Sequence, residues 1–298
     1  MALKFFKKNK IFNQDAGQHQ FSAPGNHPFI VAHKASFSGP QKNDVLPDYF
    51  ESDEGFRDLV DFIDNRTPVS DSRKAPYGRI CLIQSFDRGV DQAKMSGTGF
   101  LINRHTVLTA AHVVFDNERI FNTGSPKAER VDLWFGFDQK FGEPTGIYGT
   151  QKSTEIIVHP RYEHNFRADC DIAIIQLQNP VGDCVGWLTP HIFEEPKLDQ
   201  VEILISGYPG ETKMRYTPYE HREIISAVRE KHFYHKVDTS TGQSGAPVIM
   251  NDENSDLSRV AGIHTRNGAK ALDDIGEKHN YAVRFRDDLF DWLKPQTK

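Results

Sequence analysis

Cysteine is scarce here, with Cys81, Cys170 and Cys184 the only three in 298 residues. So sparse and odd a set excludes a disulfide-dense secreted scaffold and fits a reducing compartment or a bacterial chain that never used disulfides. Two arrangements stay open: one bridge between Cys170 and Cys184, or three buried thiols, the usual preference of free cysteine. No Cys/His spacing resembles a zinc site, so neither a metal nor a cofactor is expected. Long apolar runs are missing as well, since none approaches the roughly 20 residues that cross a bilayer as a helix. The opening MALKFFKKNKIFNQD has basic residues but no apolar core, and as written it predicts no secretory signal. Charge of one sign is also lacking. With 36 basic and 41 acidic residues the formal charge is −5, which gives no general attraction to nucleic acid or anionic lipid.

What is present from about Arg79 onward is a series of short apolar runs between turns. Examples are RICLIQSF, GTGFLI, TVLTAAHVV, RVDLWFGF, DIAIIQL, VEILISGYPG, APVIM and YAVRF. Val- and Ile-rich runs at this spacing, without helix-length periodicity between them, predict an all-β fold with antiparallel pairing. A terminal helix is expected over 286–293, with Leu289, Trp292 and Leu293 on one stripe. Residues 1–58 differ from the rest. They are loop-rich and carry many Phe, and the spacing of Phe56, Leu59, Val60 and Ile63 predicts a short helix over Glu54–Ile63.

The run TGQSGAP at 241–247 holds Ser244 between Gln243 and Gly245. Gly242 lets the chain turn sharply, so the backbone N–H groups of Gly242 and Ser244 can point at one oxygen. Upstream lie His112, in LTAAHVV, and Asp171, in DIAIIQL, each beside a strand-like run. His, Asp and Ser in that order match one chain order of a nucleophilic triad. Hydrolysis of an amide without a metal needs those parts: a nucleophile, a base, a group that orients the base, and oxyanion donors. Ser244, His112 and Asp171 fill the first three, and the reading places His112 within roughly 2.6–3.2 Å of Ser244 Oγ, somewhat more without substrate. Asp169 competes for the third role but precedes the apolar strand and reads as a solvated loop charge. A plain Ser/Gly turn with a structural histidine is the bland alternative for any one motif alone.

With these residues in hand, the chain resembles the bacterial glutamyl endopeptidases, the V8-like family of trypsin-fold serine proteases in the chymotrypsin superfamily. The matching stretches are NRTPVSDSRKAPYGRICLIQ (65–84), GTGFLINRHTVLTAAHVV (97–114), EIIVHPRY (155–162), DIAIIQL (171–177), ISGYPG (205–210), DTSTGQSGAPVI (238–249) and AGIHTRNG (261–268). The resemblance implies two antiparallel six-stranded β-barrels with the site in the cleft between them and a C-terminal helix. It implies a protease domain over 59–298, preceded by an N-terminal extension or pro-segment over 1–58. Protein or peptide substrates follow, cut through an acyl-enzyme, with an activating protease or regulatory partner for a zymogen. In that family an acidic P1 residue, the one before the scissile bond, is read by a histidine and a nearby hydroxyl. Those roles fall on His264 and Thr239. Asp238, six residues before Ser244, opposes this: facing the pocket it would favour Lys or Arg. The family also uses a freed N-terminal amine near the pocket, and the equivalent position is near Leu59. A catalytically silent binding domain of the same fold is the rival from another class.

Overall fold

The computed structural model describes residues 57–58, 63–87, 89–90, 92–115, 125–139, 148–211, 214, 216–250, 259–266 and 279–297. Two short strands, β1 (Arg57–Asp58) and β2 (Thr67–Pro68), come first. Then β3 (Ile80–Phe86), β4 (Met95–Leu101), β5 (Thr106–Thr109), β6 (Arg130–Phe135), β7 (Gln151–Val158) and β8 (Ala173–Leu177) close a barrel in the order β3-β4-β5-β8-β7-β6. After β9 (Thr189–Pro190), a second barrel is built from β10 (Glu202–Gly207), β11 (Tyr219–Val228), β12 (His232–His235), β14 (Pro247–Met250), β15 (Arg259–Arg266) and β16 (Asn280–Arg284), with β13 (Thr239–Ser240) between β12 and β14. Its order is β10-β14-β15-β16-β12-β11, closed by pairing of β10 with β11. Three helices are described: α1 (Pro160–Asn165), α2 (Gly182–Val185) and α3 (Asp287–Gln296). The fold is the trypsin-like double barrel that the sequence implied.

Strand periodicity explains why these segments look uniformly apolar in sequence. Successive side chains face opposite sides of a sheet, and here both sides are covered. In β3, Cys81 and Ile83 enter the first barrel's core while Ile80 and Leu82 face the layer between the barrels. In β8, Ala173 and Ile175 point inward and Ile174 outward. In β10, Ile203 and Ile205 fill the second barrel and Leu204 meets the shared layer. Burying each such side chain contributes about 1.5–3 kcal/mol, so the shared layer fixes one barrel against the other. Helix α3 closes that layer with Leu289, Phe290 and Leu293, while Trp292 stacks on His159 at 4.8 Å between ring centres.

Two expectations need correction. The helix expected over Glu54–Ile63 is not formed at Arg57 and Asp58. These pair as a strand with Ser240 and Thr239; the remainder of that span, apart from the bend at Ile63, lies outside the described residues. An open backbone edge outweighs a weak local periodicity, because ladder bonds satisfy groups that a two-turn helix leaves unpaired. Asp169 is no solvated charge either. It pairs with Arg167 at 2.9 Å, Lys231 at 3.5 Å and Arg286 at 3.7 Å. The three cysteines carry no disulfide: Cys81 and Cys170 are buried and Cys184 is half-buried. Among the described residues no helix is long and apolar enough to cross a membrane.

Candidate active site

His112 sits in a single 3-10 turn, Ala111–Val113, that follows β5. Ala110 and Ala111 are fully buried beneath it, so the small residues of LTAAHVV let the turn pack against the barrel end. Asp171 ends another 3-10 turn, Ala168–Cys170, just before β8, and no part of it is exposed. A buried carboxylate is costly unless hydrogen-bonded. Asp171 meets that need with His112: Oδ1 accepts from the His112 backbone N–H at 3.0 Å, and Oδ2 lies 2.8 Å from Nδ1. With the proton on Nδ1, that bond leaves Nε2 as the basic nitrogen.

Ser244 lies in the turn between β13 and β14. The turn is tied to the first barrel, since Thr98 Oγ1 donates to Gly242 O at 2.8 Å and Thr98 N to Ser244 O at 2.8 Å. It is tied to β15 as well, because Gly245 N donates to His264 O at 2.8 Å. Both glycines are required here. Gly242 has φ +96°, and a Cβ there would meet Tyr208 O at 2.6 Å. Gly245 has φ +90°, and a Cβ would collide with Thr98 O and Thr109 Oγ1. Among the described residues, no group takes up the N–H of Gly242 or of Ser244. These are donors left available for a ligand oxygen.

The serine hydroxyl has another neighbour in this structure. Ser244 Oγ donates to Thr265 O at 3.5 Å, and no hydrogen bond joins it to His112. One hydroxyl has one proton to give, and here it goes to a backbone carbonyl.

The three residues expected to read the substrate side chain are all buried: Thr239, Asp238 and His264. Thr239 Oγ1 accepts from Asn280 Nδ2 at 3.1 Å, which orients the hydroxyl. Asp238 is turned onto protein groups. Its Oδ2 accepts from Asn65 N and Asn65 Nδ2, each at 3.1 Å, and lies 3.7 Å from His221 Nδ1. His264 Nδ1 lies 3.3 Å from His235 Nε2, with the rings edge to face. Burial, reinforced by the charge of His112, pushes the His264 imidazole down to about 3. Burial also holds His235 well below the ordinary range, aided by His264, His279 and His221. His264 is therefore a neutral ring at physiological pH. For its Nε2 to donate, Nδ1 must accept from His235, leaving His235 Nδ1 as the acceptor, and that atom has no partner.

Several residues here drew no attention in the sequence. Asn65 and Arg66 lie in the first family-like stretch, where nothing in their spacing marked them. His235 and His221 are ordinary members of apolar or mixed strands. Arg266, at the end of β15, puts Nε 3.9 Å from Asp171 Oδ2 with nearly half its side chain exposed. Two residues after His264 in a strand reading, it was the nearest to being found. Among the described residues, no group of three or more His, Cys, Asp or Glu is placed to hold a metal ion.

The comparisons agree with this geometry at the level of fold and family. The trypsin family model matches residues 84–292. A glutamyl endopeptidase of Bacillus licheniformis is 27% identical over 235 residues, which cover 77% of this chain and 66% of that protein. A Bacillus subtilis protein named extracellular metalloprotease is 24% identical over 230 residues, covering 76% and 66%. The chain thus spans just under two thirds of the length of each of these relatives. Among solved structures, a Glu endopeptidase in complex with MPD has a TM-score of 0.65 at 22% identity, covering 80% of this chain and 99% of that one. The protease Anisep of Arthrobacter nicotinovorans has a TM-score of 0.58 at 12% identity, covering 76% and 96%. At these identities the structural matches establish the fold.

Proposed function

Since the chain belongs to the trypsin family, we propose that it is a serine endopeptidase that cuts after Glu, and more weakly Asp, through an acyl-enzyme. The observation that supports the reading is the bond of 2.8 Å between His112 Nδ1 and a fully buried Asp171, with Gly245 of the serine turn set against Thr98, Thr109 and Ala110, and with no partner among the described residues for the N–H groups of Gly242 and Ser244. In this reading Ser244 Oγ turns from Thr265 O toward His112, attacks the carbonyl carbon, and gives its proton to Nε2. The oxyanion receives the N–H groups of Gly242 and Ser244. Collapse breaks the C–N bond, and His112 hands the proton to the leaving amine. Water then repeats the sequence: His112 takes its proton, the hydroxide adds to the ester, and Ser244 leaves with the proton restored. Asp171 holds the ring and stabilises the imidazolium throughout. The chemistry requires no cofactor.

Acidic P1 preference rests on the orientation of three side chains. Asn65 donates twice to the Asp238 carboxylate, which argues against a Lys- or Arg-reading pocket. His264 and Thr239 then remain as donors to a substrate carboxylate. Residues 1–58 are, in the same reading, an extension that keeps a 59–298 protease unit latent until another protease removes it near Asp58–Leu59 or a partner activates it. Peptide-library cleavage by the intact chain and by a chain starting at Leu59 tests activity and P1 choice together. Hydrolysis that persists in Ser244→Ala would sink the assignment, and inertness of both chains would favour the silent binding domain.

A further inference from the structure

Arg66 lies directly behind the nucleophile turn, and its side chain is wholly inaccessible to solvent. All five of its side-chain N–H donors are used. Nε donates to Asp64 Oδ1 at 2.9 Å, and Nη2 donates to Asp64 Oδ2 at 2.9 Å and Glu211 Oε1 at 2.6 Å. Nη1 donates to Ser240 Oγ at 2.8 Å and Gln243 Oε1 at 3.2 Å. These acceptors are themselves connected. Ser240 Oγ donates to Glu211 Oε2 at 2.7 Å, and Gln243 Oε1 also accepts from Ser240 N at 3.0 Å. Gln243 stands between the two residues whose N–H groups face the cleft, and it is nearly fully buried. Its side chain therefore anchors the peptide that carries both donors.

We propose that Arg66 is an internal positioning cation for the nucleophile turn, holding Gln243 and Ser240 so that the N–H groups of Gly242 and Ser244 stay aimed at one point. A buried guanidinium with every donor used is rigid, and a planar fork fixes direction as well as distance. Its seat also reaches the substrate side of the site, for the neighbouring Asn65 holds Asp238. The cation is supplied from within the chain, seven residues after Leu59. It is in place while the chain is continuous, with Arg57 and Asp58 still paired to Ser240 and Thr239. The turn is thus assembled without a freed amine. Cleavage near Asp58–Leu59 is therefore not needed to build the turn.

The test uses the full chain and two kinds of variant, Arg66→Gln and Arg66→Lys. The kinetic arm rests on the serine peptidase reading and follows a fluorogenic peptide with Glu at P1. Arg66→Gln is expected to lower kcat about a hundredfold per active site titrated, with KM changed less than about threefold, the order of loss seen when one oxyanion donor is removed. A peptide aldehyde, which forms the tetrahedral adduct, should lose affinity in proportion to kcat, while the product acid should not. Arg66→Lys should recover part of the loss. The second arm needs no activity: amide exchange over 239–246 should quicken at least tenfold in Arg66→Gln, with the strands of the first barrel unchanged. If Arg66→Gln does not fold, Gln243→Met replaces it and is expected to lower kcat per titrated site and to speed exchange over 239–246. Unchanged kcat per titrated site with unchanged exchange overturns the proposal. A parent inert both as the full chain and when it starts at Leu59 overturns the peptidase reading instead, and the exchange arm then decides Arg66 alone.

Discussion

Asn65 grips the Asp238 carboxylate twice, with its backbone N–H and its side-chain Nδ2 each 3.1 Å from the same oxygen. A carboxylate held this way has Oδ2 committed to protein donors rather than free to turn onto a substrate side chain. Cleavage after Glu should therefore exceed cleavage after Lys or Arg by at least a hundredfold in kcat/KM. Replacing His264 by Phe should remove most of that preference, since a site built to hydrogen-bond a substrate group discriminates strongly only while the bond exists. Competition between paired peptides differing only at P1 measures both. Preferred cleavage after Lys or Arg would make Asp238 the pocket determinant.

Ser244→Ala should abolish labelling by a fluorophosphonate and reduce peptide hydrolysis to the residue left by binding and oxyanion contacts. The substitution removes one half-buried oxygen whose hydrogen bond among the described residues runs 3.5 Å to Thr265 O, so the stability should shift by less than about 1 kcal/mol. Mass spectrometry of the labelled chain identifies the modified serine. Labelling elsewhere, with activity kept, would refute the role given to Ser244.

Asp171→Asn keeps the volume and most of the bonding but offers the imidazole the wrong partner. From the behaviour of such triads, kcat should fall by about 10⁴ with KM little altered. Asp169→Asn is the control. Asp169 is paired with Arg167, Lys231 and Arg286, and its loss should show in stability rather than in kcat.

Acid should destabilise the fold through its buried histidines. Burial and the charge of His112 push His264 down to about 3, against an ordinary value of 6.5. Between those values the unfolded chain binds a proton that the folded chain refuses. The stability this ring contributes is complete above pH 6.5, declines as the pH falls, and is gone near pH 3. At pH 5 the loss from His264 alone is roughly 2 kcal/mol. Urea unfolding at pH 7.5 and pH 5 should show a smaller difference for His264→Gln than for the parent. An equal difference would mean that this ring does not titrate as its burial requires.

Trimming to Leu59 separates two roles for the extension. If uncovering suffices, one extra residue ahead of Leu59 leaves activity intact; if the freed amine itself binds the acidic side chain, the extra residue reduces it. Reaction of the untrimmed chain with a small fluorophosphonate, alongside slow cleavage of long peptides, would show a formed but covered site.

Chain order and local composition singled out His112, Asp171 and Ser244 as candidates, because a triad needs particular residue types in particular local settings. The all-β class was legible for a similar reason: strands buried on both faces read as short continuous apolar runs. Sequence could not say which alternate residues entered a barrel and which met the layer between, as with Cys81 and Ile80, since that depends on closure of the sheet. Nor could it foresee that β13 would draw Arg57 and Asp58 out of a helical pattern, because the open ladder edge comes from distant sequence. The direction of the Asp238 carboxylate is the clearest case. Its position six residues before Ser244 is a property of the chain, but Asn65, 173 residues away, decides where it points. Arg66 is likewise silent in sequence and central in space. Residue identity sets which groups can do chemistry, and long-range packing sets which of them face the cleft and which are occupied elsewhere.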